Sequence, residues 1–134
     1  MIQEYKELLK DLCERLPYRI KVKTPYNDAS LVGIIKRDGY SKETEYVDVI
    51  TDKQTYPIRY IKPYLRPMSS MTEEEYKEYS KLWDLQDKFP TDADIRFKID
   101  VFDWLNANHF DYRRLIEKGL AIEVTKENNP YERK

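Results

Sequence analysis

A chain of 134 residues can bury a core without disulfides or metal, and it is too short for two ordinary domains. Charged residues make up 37% and hydrophobic residues 40%, yet the net charge is only -1, so the low hydrophobicity with high net charge of a disordered chain is not met. The single cysteine, Cys13, excludes an internal disulfide and points to a reducing compartment, and no run approaches the roughly 20 apolar residues of a membrane span.

The opening Met-Ile-Gln-Glu-Tyr-Lys-Glu has neither the basic region nor the apolar run of a signal peptide, so a cytoplasmic setting without membrane is expected. Residues 1–17 read as a helix. Ile2, Tyr5, Leu9, Leu12 and Leu16 recur every three to four positions, with Leu8 and Cys13 widening the stripe. Asp11 and Arg15 fall among its polar positions, and Pro17 stops it.

Residues 18–66 read as the β-rich part. Tyr18, Ile20 and Val22 alternate with Arg19, Lys21 and Lys23, the pattern of a half-buried strand. Pro25–Asp28 is a turn, and Leu31–Ile35 is a more buried strand that Gly33 bends or bulges. A turn at Arg37-Asp38-Gly39, a strand over Glu45–Thr51 and a turn at Asp52-Lys53 follow. Tyr56, Ile58 and Tyr60 suit a fourth strand, which Pro57 assigns to an edge. The expected fold is α+β: an N-terminal helix, a small bent antiparallel sheet or an SH3-like barrel, and a C-terminal helical segment.

Residues 67–125 read as helical with one short strand, after a connector carrying Pro63 and Pro67. Thr72 followed by Glu73, Glu74 and Glu75 is a capping box with acidic residues at the positive end of the helix. Tyr76, Tyr79, Leu82 and Trp83 continue at helical spacing to a stop at Phe89-Pro90. Ile95, Phe97 and Ile99 alternate with Arg96 and Lys98 and allow a short strand. Asp100 then caps one helix and Asp111 another through Lys118, with Gly119 at the left-handed stop. Ala121–Val124 is a last strand, and residues 126–134 are a polar, frayed tail. The whole is expected to be a single domain.

Charge is uneven. Residues 18–66 hold ten basic and six acidic residues, whereas 67–134 hold eleven and fifteen. Two stretches, KPYLRPMSSMTEEE at 62–75 and DWLNANHFDYRRLIEKGLAIE at 103–123, carry a resemblance. The chain resembles a group of small uncharacterised proteins of gut bacteria and their phages or mobile elements. The resemblance implies a phage or mobile-element origin and brings no activity, ligand or catalytic residue.

Catalytic motifs are missing. The three glycines are far apart, so there is no phosphate-binding loop or dinucleotide fingerprint. One cysteine and one histidine cannot form a zinc cluster, the acidic runs do not follow an EF-hand, and no metal or other cofactor is expected. His109 beside Asp111 is the nearest approach to an acid–base pair, but it lacks a nucleophile. Asp111 is better read as a cap, and His109 as a residue whose charge or hydrogen bond closes the preceding helix. The chain is therefore read as non-enzymatic.

Two stretches fit binding instead. Tyr56, Tyr60 and Tyr64 interleave with Arg59, Lys62 and Arg66, a mixture in which rings stack on bases and cations follow phosphates. The same stretch also fits an edge strand whose tyrosines pack on the helices. Tyr112, Arg113 and Arg114 follow Trp104 and Phe110, and these residue types are enriched at interface hot spots. The expected function is a protein-interaction module with an unidentified protein partner. The alternative is a nucleic-acid-binding small barrel.

Overall fold

The computed structural model describes residues 3–37, 46–88 and 93–131. In chain order these form α1 (Gln3–Arg15), β1 (Lys21–Lys23), β2 (Asp28–Arg37), β3 (Tyr46–Thr51), β4 (Thr55–Pro57), β5 (Lys62–Leu65), α2 (Glu73–Lys88), α3 (Ala93–Ala107) and β6 (Ile122–Glu123). The arrangement is α+β, as the alternation of periods predicts. The turn expected at Asp38-Gly39 and the stop at Phe89-Pro90 lie outside the described residues.

Leu8 and Leu12 are buried on α1, with Tyr5, Leu9 and Leu16 packed beside them. Pro17 sits in a short 3-10 turn, Leu16–Tyr18, which ends at Arg19 in the left-handed region with φ 53°. Two expectations for this helix need correction. Cys13 is exposed, whereas Asp11 and Arg15 are fully buried. Their spacing of four puts both on one helix face, and that face meets the end of α3 rather than water.

The strands form one six-stranded sheet in the order β4-β3-β2-β1-β5-β6. Neighbours are antiparallel except β5 and β6, which run parallel with Tyr64 opposite Ile122. The sheet is bent and open, so it does not close as an SH3-like barrel. Pro57 lies in the edge strand β4, as its missing N–H requires. The register of β2 on β3 shifts between Leu31 and Gly33, the bulge expected there. The fourth strand stops at Pro57, and Ile58–Tyr60 is a 3-10 turn. Pro63, read as part of a connector, belongs to β5 opposite Val22 and lies outside the stretch that β6 pairs.

The inner sheet face supplies Ile20, Val22, Leu31, Val47, Val49 and Leu65 to a core completed by α1 and by Leu115 and Leu120. Each such side chain contributes roughly 1.5–3 kcal/mol by leaving water. A second cluster joins Val101, Leu105 and Phe110 to Met68, Tyr79, Leu82 and Trp104. It holds α2 and α3 together.

The capping box at the start of α2 is reciprocal. The Glu75 N–H donates to Thr72 Oγ1 at 3.1 Å, and the Thr72 N–H donates to Glu75 Oε1 at 3.0 Å. Residues 95–99 are helical, not a strand, and Asp100 lies inside α3 rather than capping it. Phe97, Val101 and Leu105 also recur every fourth residue, and that longer pattern wins over a three-residue alternation. Residues 112–119 form consecutive turns instead of a regular helix. Asp111 still caps them, accepting from the N–H groups of Leu115 and Ile116 at 2.9 and 3.0 Å. Gly119 is in the left-handed region at φ 74°. There the N–H of Leu120 reaches Leu115 O and its own N–H reaches Ile116 O.

The tail is held further than its polarity suggests. Tyr131 accepts from the Lys21 N–H at 3.0 Å and donates to Tyr64 O at 2.7 Å. Among the described residues no helix is long and apolar enough to cross a membrane.

Candidate functional site

The end of α3 sets up the site. His109 adopts φ 64°, and the N–H groups of His109 and Phe110 close the helix on Asn106 O and Leu105 O at 3.1 and 2.9 Å. This stop turns the chain back across α1. Arg15 donates from Nε to Asp11 Oδ2 at 2.7 Å and from Nη2 to Phe110 O at 2.6 Å. The guanidinium thus joins α1 to the Phe110 carbonyl just past α3. Burial pushes the Asp11 pKa up, although Arg15 opposes the shift.

With α1 and α3 locked, Tyr112 and Arg113 overhang a cleft of about 640 Å³ lined also by Glu14, Ile99, Phe102, Asp103 and Asn106. The Tyr112 hydroxyl donates to Glu14 Oε2 at 2.6 Å and lies 2.8 Å from Asn106 Oδ1. Arg113 Nη2 donates to Glu14 Oε1 at 2.6 Å, and its Nε lies 3.4 Å from Asp11 Oδ1. Burial works against the Glu14 carboxylate, but the hydrogen bonds from Tyr112 and Arg113 outweigh it and lower its pKa. Burial and the bond to Glu14 push the Tyr112 phenol up to about 12, so it stays neutral and is a poor base. The Phe102 ring meets Tyr112 edge-on, with centroids 5.1 Å apart.

The Tyr112 hydroxyl, Arg113 Nη2 and the Glu14 carboxylate on one wall therefore satisfy each other, while the buried Arg113 Nε has no hydrogen-bond partner. What remains toward solvent is apolar: Ile99 is 53% and Phe102 45% exposed. Asp103 adds a second carboxylate at the rim, and burial followed by Asp103 raises the Tyr18 pKa. Two carboxylates against one arginine leave the rim acidic. Such a cleft can hold an apolar side chain whose neighbours are basic.

The residues predicted to bind are not gathered in one place. Tyr112 and Arg113 line the cleft. Arg114, exposed at φ 60°, faces a separate groove with Met68 and Glu117. Tyr56 is buried, and Tyr64 is buried with its hydroxyl donating to Asp28 Oδ1 at 2.7 Å. Neither ring is presented for stacking. Arg66 is committed to Glu75 through two bonds of 2.7 and 2.6 Å, with its guanidinium 4.2 Å from the Phe110 ring centroid. Only Arg59, Tyr60 and Lys62 of that stretch face solvent.

His109 does not close α3 through a charge. Burial, then Arg15 and Arg66, holds its pKa down to about 4, and its Nδ1 has no hydrogen-bond partner. Asp111 uses both carboxylate oxygens on backbone amides. Residue type alone does not single out Glu14, Ile99, Phe102 and Asp103. The i, i+3 and i+4 spacing of Ile99, Phe102 and Asp103 was a usable signal, masked by the apparent strand. Among the described residues no group of three or more metal-ligating side chains converges. Comparison with protein-family models, curated proteins and solved structures found no match.

Proposed function

We propose that the chain is a non-enzymatic protein-interaction module that docks an apolar side chain flanked by basic residues into the cleft between α1, α3 and residues 111–119. The supporting observation is the exposed Ile99 and Phe102 beside Glu14 and Asp103, in a cleft whose Tyr112 hydroxyl and Arg113 Nη2 are already partnered by Glu14. Apolar surface next to an ordered polar wall is costly to keep solvated, and a partner removes that cost. The acidic rim favours basic flanks in the partner and disfavours acidic ones. A cytoplasmic setting belongs with this reading, and the free, exposed thiol of Cys13 supports it. So does the phage or mobile-element origin that the two resembling stretches imply.

The test is selection from a random peptide library displayed against the whole protein. Enriched peptides should share an aromatic or aliphatic anchor with lysine or arginine beside it. Phe102→Asp should abolish their binding while circular dichroism stays unchanged. Failure to enrich any sequence, or equal binding by a folded Phe102→Asp variant, overturns the proposal.

A further inference from the structure

A second surface, independent of the cleft, lies at the end of the sheet where β1 turns into β2. In the sheet register Lys23 stands directly opposite Lys62 on β5, and Asp28 stands opposite Lys23 on its other side. Cross-strand partners share a face, so two exposed lysine side chains leave the sheet from adjacent positions on its outer face. Like charges directly opposite destabilise a sheet. Asp28, which also accepts the Tyr64 hydroxyl, offsets this only in part, because it is one carboxylate beside two lysines. Neither lysine forms an ion pair among the described residues.

Other cations converge on the same end. Lys53, from the turn between β3 and β4, donates its ammonium to Asp28 O at 2.7 Å. The turn Ile58–Tyr60 leads directly into Lys62, and there the Arg59 guanidinium lies 4.7 Å from the Tyr60 ring centroid. Tyr60 is 48% exposed. Tyr26, in the turn following Lys23, is 81% exposed and touches Tyr56 at 6.4 Å between centroids, which sets this turn beside the end of β4. Four cations and two open aromatic rings are thus set against two carboxylates, Asp28 and Asp52. Asp52 accepts the Ser30 N–H at 2.9 Å.

We infer that this end of the sheet is a binding site for single-stranded nucleic acid, with Lys23, Lys53, Arg59 and Lys62 following the phosphates and Tyr60 and Tyr26 stacking on bases. Rings next to cations distinguish a single strand from other polyanions, because an acidic peptide offers charge without a face to stack on. Arg59 holds the Tyr60 ring from one side, which orders it before a base arrives. The set differs from the linear stretch 56–66: Lys23, Tyr26 and Lys53 enter from other turns, while Tyr56, Tyr64 and Arg66 are structural.

The experiment uses the whole protein and a fluorescently labelled twelve-nucleotide oligothymidylate, read by anisotropy across a salt series, with polyglutamate as competitor. Four phosphate contacts give an affinity that falls with salt at a log–log slope of about -3. The variant Lys23→Gln/Arg59→Gln/Lys62→Gln should reduce that slope by about 2 and the affinity by at least roughly tenfold at low salt. Tyr60→Ala should weaken binding roughly tenfold with the slope unchanged. No anisotropy change at low salt overturns the inference, as does a folded triple variant that binds like the parent. Equal competition by polyglutamate, with no effect of Tyr60→Ala, overturns it in favour of an acidic protein surface as the ligand.

Discussion

The rings of His109 and Tyr131 stack with centroids 3.9 Å apart and planes 10° from parallel. His109 is fixed by the stop at the end of α3, and Tyr131 ties its hydroxyl to the Lys21 N–H and Tyr64 O. One contact therefore joins the last described residue to α3, β1 and β5. Tyr131→Phe keeps the stack and removes the hydroxyl. It should cost about 1–3 kcal/mol in urea unfolding, because a part-buried amide and carbonyl lose their partner. Tyr131→Ala should cost more, since the ring goes as well.

His109 makes stability depend on pH. Its native pKa of about 4 lies below the ordinary 6.5, so the unfolded chain takes up a proton that the native chain refuses. Stability is present above about pH 6.5 and is lost as the pH falls toward 4, by about 3 kcal/mol in full. Asp11, with its raised pKa, acts in the opposite direction. Comparing the parent with His109→Phe cancels that contribution. The parent should lose more stability than His109→Phe between pH 7 and 4.5, as chemical denaturation at each pH can measure. Equal pH profiles would falsify the assignment of the slope to His109.

The Asp11–Arg15 pair is fully buried, so its two halves are not independent. Arg15→Met leaves the Asp11 charge desolvated and Phe110 O without its donor, and should cost about 3–5 kcal/mol. Asp11→Leu with Arg15→Met removes both charges and should recover part of that loss. The parent, Asp11→Leu, Arg15→Met and the double variant compared in one urea series give the coupling directly.

At the start of α2, Thr72→Ala removes one capping bond and should cost about 1 kcal/mol. Glu75→Ala removes the reciprocal bond and also both contacts to Arg66, and should cost more than Thr72→Ala. A smaller loss for Glu75→Ala in the same thermal melts would count against that ordering.

The fold was legible wherever a residue's role is local. The leucine stripe of α1, the Thr72 capping box, the turn glycine Gly119 and the edge proline Pro57 each follow from spacing or backbone geometry. What escaped depends on partners far along the chain. Arg15 looks like a solvated helix residue until Phe110, 95 positions away, presents a carbonyl to it. Pro63 looks like a connector until Val22 pairs with it. The candidate binding residues divide in the same way. Arg59, Tyr60 and Lys62 are exposed as their composition suggests, but Lys23 and Lys53 join them only through sheet register. Tyr112 and Arg113 were found by residue type, whereas the apolar floor under them needed the correct period for residues 95–105.

The bond from Arg15 to Phe110 O also bears on synthesis. A ribosome releases α1 well before its partner, because the carbonyl that accepts from its buried arginine emerges 95 residues later. The Lys118–Glu7 and Arg113–Glu14 pairs, which also hold α1, arrive later still. Until then the apolar stripe of the helix has only a partial sheet to cover it, and its desolvated charges have no reason to leave water. Native docking of α1 therefore waits for residues 110–118, which are made long after the helix itself.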